Sequence, residues 1–281
     1  MRKTANRATG WRKVAAAVWD SPSDPQIYGD IEVDAGPLLA FIDAARARSE
    51  ARVTVTHVVG KAVAHALAEH PELNTYMSRG QFVPHESVDI FFVVAVEGGR
   101  DLSGVKVRGA DRKSVIEIAQ ELAERASRIR TGDDVDFGKT KRMVDRSPTW
   151  LLRLGLELAD WLTGDRRIDL KRLGLPREFF GSAMVTSVGM FGVKRAYGPL
   201  SPYYRIPFLA LVGEVTKIPV VVDAEVVVRP ILTISATMDH RYLDGAHAAK
   251  LARSVRAYLG DPSAFERLPG DMAVAELVER D

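Results

Sequence analysis

The stretch TISATMDHRYLDGAHAAKL, from Thr233 to Leu251, holds the residues of this chain best suited to proton-transfer chemistry: His240, Asp244 four residues later, and Gly245 beside it. An imidazole titrates near neutral pH, which suits a general base, and a nearby carboxylate can steady it or its loop. The flanking residues define its place. Leu232, Ile234, Ala236 and Met238 alternate with Thr233, Ser235 and Thr237 as in a strand, while Ala248, Ala249, Leu251, Ala252, Val255 and Leu259 recur at helical spacing. His240 therefore falls where a strand ends and a helix begins, a rim position at which Gly245 would let backbone approach closely. The same residues also read as ordinary architecture, with Asp244 as the helix N-cap and His240 as a hydrogen-bonded structural histidine. The hydroxyl face of the strand borders either a wet site or bulk solvent.

Other chemistries find little support. The remaining histidines, at 57, 65, 70, 85 and 247, lack the paired helical spacing of a zincin and any neighbouring ligand set, so a bound metal is not expected. GMFGVKRAYG has glycines without the dinucleotide-binding spacing, and there is no Walker sequence. With no cysteine, thiolate nucleophiles and disulfides are excluded. Lysine plus arginine number 39 against 37 acidic residues, a net charge of +2 without a long basic run, so no nucleic-acid partner is expected. No stretch approaches the ~18 apolar residues of a membrane span, and the N-terminus lacks a signal-peptide core. A soluble cytoplasmic protein is the expectation.

The elements that must position His240 alternate in kind. In THVVGKAVAHALAEHPELN, Val58, Val59, Ala62, Val63, Ala66 and Leu67 predict an amphipathic helix that Pro71 stops. SVDIFFVVAV is a continuous apolar run, as in a strand covered on both faces near the middle of a sheet. Ser114 and Glu117 form a capping-box signature ahead of a second helix with Val115, Ile118, Ala119 and Leu122 on one face. Strands dominate the C-terminal part, with PVVVDAEVVVRPILTISATMD reading as two strands around Asp223 and Ala224. Between Gly138 and Phe180, Trp150, Leu151, Leu154, Leu158, Trp161 and Leu162 recur at helical spacing. Burial against the domain or a partner subunit is expected of that stripe; the alternative is a membrane-surface helix, against which Glu157, Asp160 and Asp165 count.

The string DHRYLDG, with the helix and LGDP after it, resembles the D-H-R-x-x-D/N-G signature of the catalytic domain of dihydrolipoamide acyltransferases, the core components of 2-oxoacid dehydrogenase complexes. GWRKVAAAV, DIEVDAGPLLAFI, KAVAHALAEHPELN, ADRKSVIEIAQELAE, VTSVGMFG and RPILTISATMDHR are similar to family segments in the family's order, across most of residues 10 to 262. The resemblance implies a chloramphenicol-acetyltransferase-like α/β fold, a mixed sheet flanked by helices, assembled as a homotrimer with its active site between subunits. It implies that His240 takes the proton of a thiol, on coenzyme A or dihydrolipoyl, that attacks an acyl thioester. The oxyanion would be met by the hydroxyl of Thr186, with Ser187 the alternative. Asp244 would hold the active-site loop by pairing with an arginine, for which Arg12 is the match.

Departures from the family pattern shape the remaining expectations. Residues 1–281 are expected to be one catalytic domain, with an insertion at about 138–180, a polar C-terminal extension at about 263–281, and no lipoyl or peripheral-subunit-binding domain. A lipoyl domain or dehydrogenase subunits would then act in trans, with coenzyme A or acyl-CoA as substrate. The Trp-Leu helix of the insertion is expected to cover a surface or a channel mouth. EGGRDLSGVKVRGAD is more charged than the family's channel-lining stretch, which leaves the acceptor open. The competing reading is a non-catalytic trimeric scaffold or regulatory partner of a dehydrogenase complex.

Overall fold

Strand β1 (Gln26–Asp34) leads into α1 (Gly36–Ala47), whose buried Leu38, Phe41, Ile42 and Ala45 share one face. Helix α2 (Val55–Glu69) starts at Thr54 and buries the expected Val58, Val59, Ala62, Val63, Ala66 and Leu67. Pro71 ends it in a single 3-10 turn. A short hairpin of β2 (Thr75–Ser78) and β3 (Gln81–Pro84) follows, then β4 (Ile90–Val96), β5 (Asp101–Val107) and α3 (Val115–Thr131). Next come α4 (Thr149–Asp160), continued by a π-helical turn over Trp161–Asp165, and β6 (Ala183–Ser187). The long strands β7 (Phe208–Val222) and β8 (Glu225–Asp239) and the helix α5 (Gly245–Gly260) complete the set. The computed structural model describes residues 24–96, 101–131, 148–170 and 178–271.

Six strands form a mixed sheet in the order β1-β8-β7-β6-β4-β5. The pairs β4–β6 and β6–β7 are parallel and the other three antiparallel. The mixed sheet and flanking helices are those the sequence leads one to expect, and β4 is interior as its apolar run requires. Phe92 packs into the large core beneath α1, α2, α3 and α5, while Phe91 points the other way. There it meets Met184, Ile206, Leu209 and Leu211, under residues of the irregular stretches around Phe180 and Ala196–Tyr204. Helices thus cover one face and loops the other.

Local signals are realised in detail. Ser114 Oγ accepts from Glu117 N at 3.2 Å, and the Glu117 carboxylate accepts from Ser114 N at 2.8 Å, closing the capping box. Asp223 and Ala224 both have positive φ, 49° and 66°, and join β7 to β8 in a two-residue turn of the twist that hairpins require.

Three expectations need revision. The hydroxyl face of β8 is not open to bulk solvent: Thr233, Ser235 and Thr237 are 8%, 1% and 0% exposed, because they share the loop-covered face of the sheet. Helix α4 has no buried residue, so its apolar stripe does not pack on the domain. The stretch from 263, expected as a polar extension, is as far as residue 271 partly built into the core. Glu266 accepts from Tyr258 Oη at 2.6 Å and from the first N–H of α3, Val115 N, at 3.0 Å, with Lys61 Nζ 3.7 Å away.

Candidate active site

His240 lies one residue beyond β8. Its backbone N–H donates to Pro25 O at 2.9 Å, and its exposed imidazole has no hydrogen bond or ion pair among the described residues. The turn that presents it is clamped by its two neighbours. Asp239, buried as the last residue of β8, accepts from Arg241 Nε at 3.0 and 3.1 Å, from Arg241 Nη2 at 2.6 Å and from Arg241 N at 2.9 Å. This pairing holds the guanidinium above its ordinary pKa. Tyr242 Oη accepts from Met77 N at 2.8 Å, tying the same turn to β2. The aspartate and arginine on either side of the histidine are therefore a brace, which fixes the backbone and leaves the imidazole unspent.

Asp244 is the N-cap of α5. Its Oδ1 accepts from Ala246 N at 2.9 Å and His247 N at 3.0 Å, and His247 Nδ1 reaches back to Asp244 N at 3.4 Å. These bonds, chiefly that from His247 N, hold the carboxyl below the usual range. His247 is thus the second half of a capping box rather than a bystander on the helix surface. Among the described residues Asp244 has no arginine partner; Arg12, expected in that role, lies outside them. Gly245 begins the helix with open space where a Cβ would sit, so no described residue makes the close approach expected there.

Thr186 sits in β6 on the same sheet face as Met184 and Leu211, and its hydroxyl has no partner among the described residues. Ser187 faces the opposite way and directs its hydroxyl to Val212 O at 3.5 Å. Of the two candidates, Thr186 has the uncommitted oxygen. It does not meet His240 within one chain. Thr186 is level with Leu211 and Ser235 across two strand spacings, and His240 is five residues further along. At ~3.3 Å per residue and ~4.8 Å per strand the two are roughly 19 Å apart.

A cavity of about 520 Å³ opens beside the histidine turn, lined by Asp239, Arg241 and Tyr242, by Met77 and Arg79 of the β2–β3 hairpin, and by Asp160 and Asp165 of the expected insertion. Arg205, at φ 49°, fastens the insertion there. Its Nε and Nη2 donate to Asp160 at 2.6 Å each, its Nη1 to Asp165 at 2.8 Å and to Met77 O at 3.0 Å. The pairing holds Asp165 below the usual carboxylate range. Ser78 Oγ adds a bond to Gly164 O at 3.0 Å. Sequence reasoning missed this clamp, since no local pattern links position 205 to positions 160 and 165. Among the described residues no group of three or more histidines and carboxylates could hold a metal ion, and no helix is long and apolar enough to cross a membrane.

Residues 2–134 and 175–266 match the sequence model of the family described as 2-oxoacid dehydrogenases acyltransferase (catalytic domain). The dihydrolipoyllysine-residue acetyltransferase component of the acetoin cleaving system of Bacillus subtilis (strain 168) is 29% identical over 266 residues, 92% of this chain and 55% of that protein. The chain spans about half the length of the curated relatives it matches. Among solved structures, a probable dihydrolipoamide acetyltransferase from Listeria monocytogenes 4b F2365 superposes with a TM-score of 0.63 at 23% identity, over 92% of this chain and 94% of that one. The cubic core of a pyruvate dehydrogenase multienzyme complex gives 0.62 at 22% identity, over 86% and 84%. At those identities the likeness is one of fold.

Proposed function

This chain belongs to the 2-oxoacid dehydrogenase acyltransferase family, catalytic domain, and on that premise we propose that it moves an acyl group between coenzyme A and a thiol of the dihydrolipoyl type. The observation that carries the reading is the state of His240, an imidazole without a partner among the described residues, on a turn braced by Asp239 and Arg241 beside a cavity of about 520 Å³. A histidine kept for structure would spend at least one ring nitrogen on the fold. This one spends none on any described residue.

The chemistry follows from the atoms at hand. A thiol with a pKa near ~8.5 is mostly protonated at neutral pH, and His240 removes its proton as the sulfur attacks the thioester carbonyl. Negative charge moves to the carbonyl oxygen, which the Thr186 hydroxyl meets as donor. When the carbon–sulfur bond of the leaving thiol breaks, the proton on His240 passes to that sulfur, so base and proton are both restored. An oxyanion donor of this kind contributes about 3 kcal/mol.

The separation of Thr186 and His240 along the sheet supports a site completed by a second copy of the chain, in a homotrimer of the sort the sequence resemblance implies. Asp244 and Gly245, at the start of α5, and Arg12 are then loop-supporting groups whose further partners come with assembly. Lipoyl domains or dehydrogenase subunits are the partners in trans, and the cytoplasm, where acyl-CoA is made, is the compartment. The reading is tested by acyl transfer from acetyl-CoA to dihydrolipoamide. His240→Ala is expected to lower kcat by about 10³-fold and Thr186→Val by about 10²-fold with the acetyl-CoA KM little changed. An unchanged rate in His240→Ala sinks the mechanism, and no coenzyme A binding in calorimetry would favour the non-catalytic scaffold instead.

A further inference from the structure

Arg205 and Asp160 border a second, smaller cavity as well, of about 60 Å³. Tyr76 and Met77 are neighbours on β2, and the alternation of the strand turns Met77 to the larger cavity and Tyr76 to the smaller. The rings of Tyr76, Phe179, Phe180, Tyr203 and Tyr204 wall it. Two buried polar atoms of its lining, Tyr76 Oη and His85 Nε2, have no hydrogen-bond partner among the described residues. Tyr76 is 2% exposed and the side chain of His85 likewise 2%. Folded proteins rarely leave such atoms unmatched, so the cavity is built for an occupant.

The other nitrogen of His85 is committed, since Nδ1 lies 2.8 Å from a carboxylate oxygen of Glu178. An ionised carboxylate only accepts, so the ring proton sits on Nδ1 and Nε2 offers a lone pair. Glu178 makes this bond from a left-handed backbone, φ 57°, so a strained residue holds the imidazole in its orientation. Two acceptors therefore face one small space, and a group that donates to both would match them. Charge selects the donor. Asp160, Asp165 and Glu178 bring three carboxylates, against which the described lining sets one guanidinium, that of Arg205, already bonded to both aspartates. Lys106 donates to Glu178 O and lies 4.0 Å from the Asp89 carboxylate, so those two offset each other. Negative charge prevails, and the aromatic walls attract a cation further. The volume is about twice the ~30 Å³ that a water takes in the liquid, room for two non-hydrogen atoms.

We propose that this cavity binds a primary alkylammonium group, with methylammonium the size it encloses, whose N–H groups donate to His85 Nε2 and Tyr76 Oη among the aromatic rings. A neutral alcohol of the same size lacks the charge, and a quaternary ammonium has no N–H to give. The site is separate from the proposed acyl transfer at His240 and does not depend on it.

The full chain is titrated with methylammonium chloride against matched sodium chloride, with methanol and tetramethylammonium chloride in parallel, and followed by saturation-transfer NMR and by the thermal midpoint. Methylammonium should bind saturably with a Kd on the order of 10 mM, the most that two non-hydrogen atoms allow. At ten times that concentration the midpoint should rise by about 3 °C. Methanol and tetramethylammonium should bind about tenfold more weakly or worse. Tyr76→Phe keeps the ring and removes Oη, so it should weaken methylammonium about tenfold while the midpoint without ligand stays the same or rises. No saturable binding means that the cavity holds water only and overturns the proposal. So does methanol binding as well as methylammonium, or unchanged binding in Tyr76→Phe. A lower midpoint of that variant without ligand overturns it too, since the hydroxyl would then serve the fold.

Discussion

Replacing Arg205 with glutamine should release the inserted segment from the cavity while leaving the core folded. Five bonds are at stake: two to the Asp160 carboxylate at 2.6 Å, a longer one to Asp160 O at 3.5 Å, one to Asp165 at 2.8 Å and one to Met77 O at 3.0 Å. Exposed ion pairs are worth ~0–1 kcal/mol, and truncating one partner of a buried pair costs ~3–5 kcal/mol. With side-chain exposures of 18%, 25% and 26%, the clamp lies between these limits, and its removal should cost the segment about 2 kcal/mol. At tenfold per ~1.4 kcal/mol, the local opening equilibrium rises about 30-fold. Hydrogen exchange reads this directly. Amides that are hydrogen-bonded in the turn, such as those of Arg166 and Ile168, which donate to Trp161 O and Leu162 O, should exchange about 30-fold faster. Those in the middle of α2 should not change. Arg205→Lys, which keeps the charge and loses the fork that reaches two carboxylates, should fall between wild type and glutamine. Unchanged exchange at Arg166 and Ile168 would refute the clamp. An equal acceleration in α2 would show that Arg205 supports the whole domain instead.

His57, whose Nδ1 accepts from Thr54 N at 3.2 Å, is held neutral, with its pKa lowered from 6.5 to about 4 by burial first and then by Arg46. Because the unfolded chain binds this proton more readily, the contribution is complete above about pH 6.5 and is lost as pH falls toward about 4. Urea unfolding should register that loss at about 2 to 3 kcal/mol; if His57→Asn shows the same pH dependence as wild type over that window, the assignment is wrong. Gly60→Ala would place a Cβ 2.2 Å from Phe92 Cζ and should destabilise by about 2 kcal/mol in spite of the gain in helix propensity. A stabilised variant would show that the ring moves freely. Asp244→Ala should lower the thermal midpoint through the lost cap, and Asp244→Asn, which keeps a capping oxygen, should lower it much less. Equal losses for the two would mean that the charge, not the cap, matters.

The sequence announces most strongly what is settled locally. The stripe of α2, the Ser114–Glu117 box and the turn at Asp223 and Ala224 each depend on residues within a few positions, and each is found where the pattern puts it. Strand β4 is legible for a related reason, since only burial on both faces suits an unbroken apolar run. What periodicity cannot say is what lies against a face. The alternation in β8 separates apolar residues from hydroxyls, but it holds no sign that a loop over Ala196–Tyr204 will close the hydroxyl side. The same limit applies to α4, whose stripe was plain and whose partner was not. At the site, Asp244 was readable as a cap and His240 as a rim residue. The Asp239–Arg241 brace and the Arg205 clamp were missed, one because flanking charges carry no periodicity, the other because its partners are 40 and 45 residues away.

Glu266 also bears on the order in which the chain can fold as it leaves the ribosome. Its carboxylate serves the first N–H of α3, the hydroxyl of Tyr258 and the ammonium of Lys61. Strand β1, meanwhile, pairs among the described residues only with β8, about two hundred residues later. Neither the sheet edge nor the floor beneath α3 can be completed until residues as far as Glu266 have emerged. At ~5–20 residues per second, the nascent chain spends many seconds with α1 and α2 unable to bury their apolar faces fully. Synthesis of this protein should therefore lean on chaperones that shield early helices, and truncations that remove Glu266 should accumulate as aggregates instead of as shortened, folded molecules.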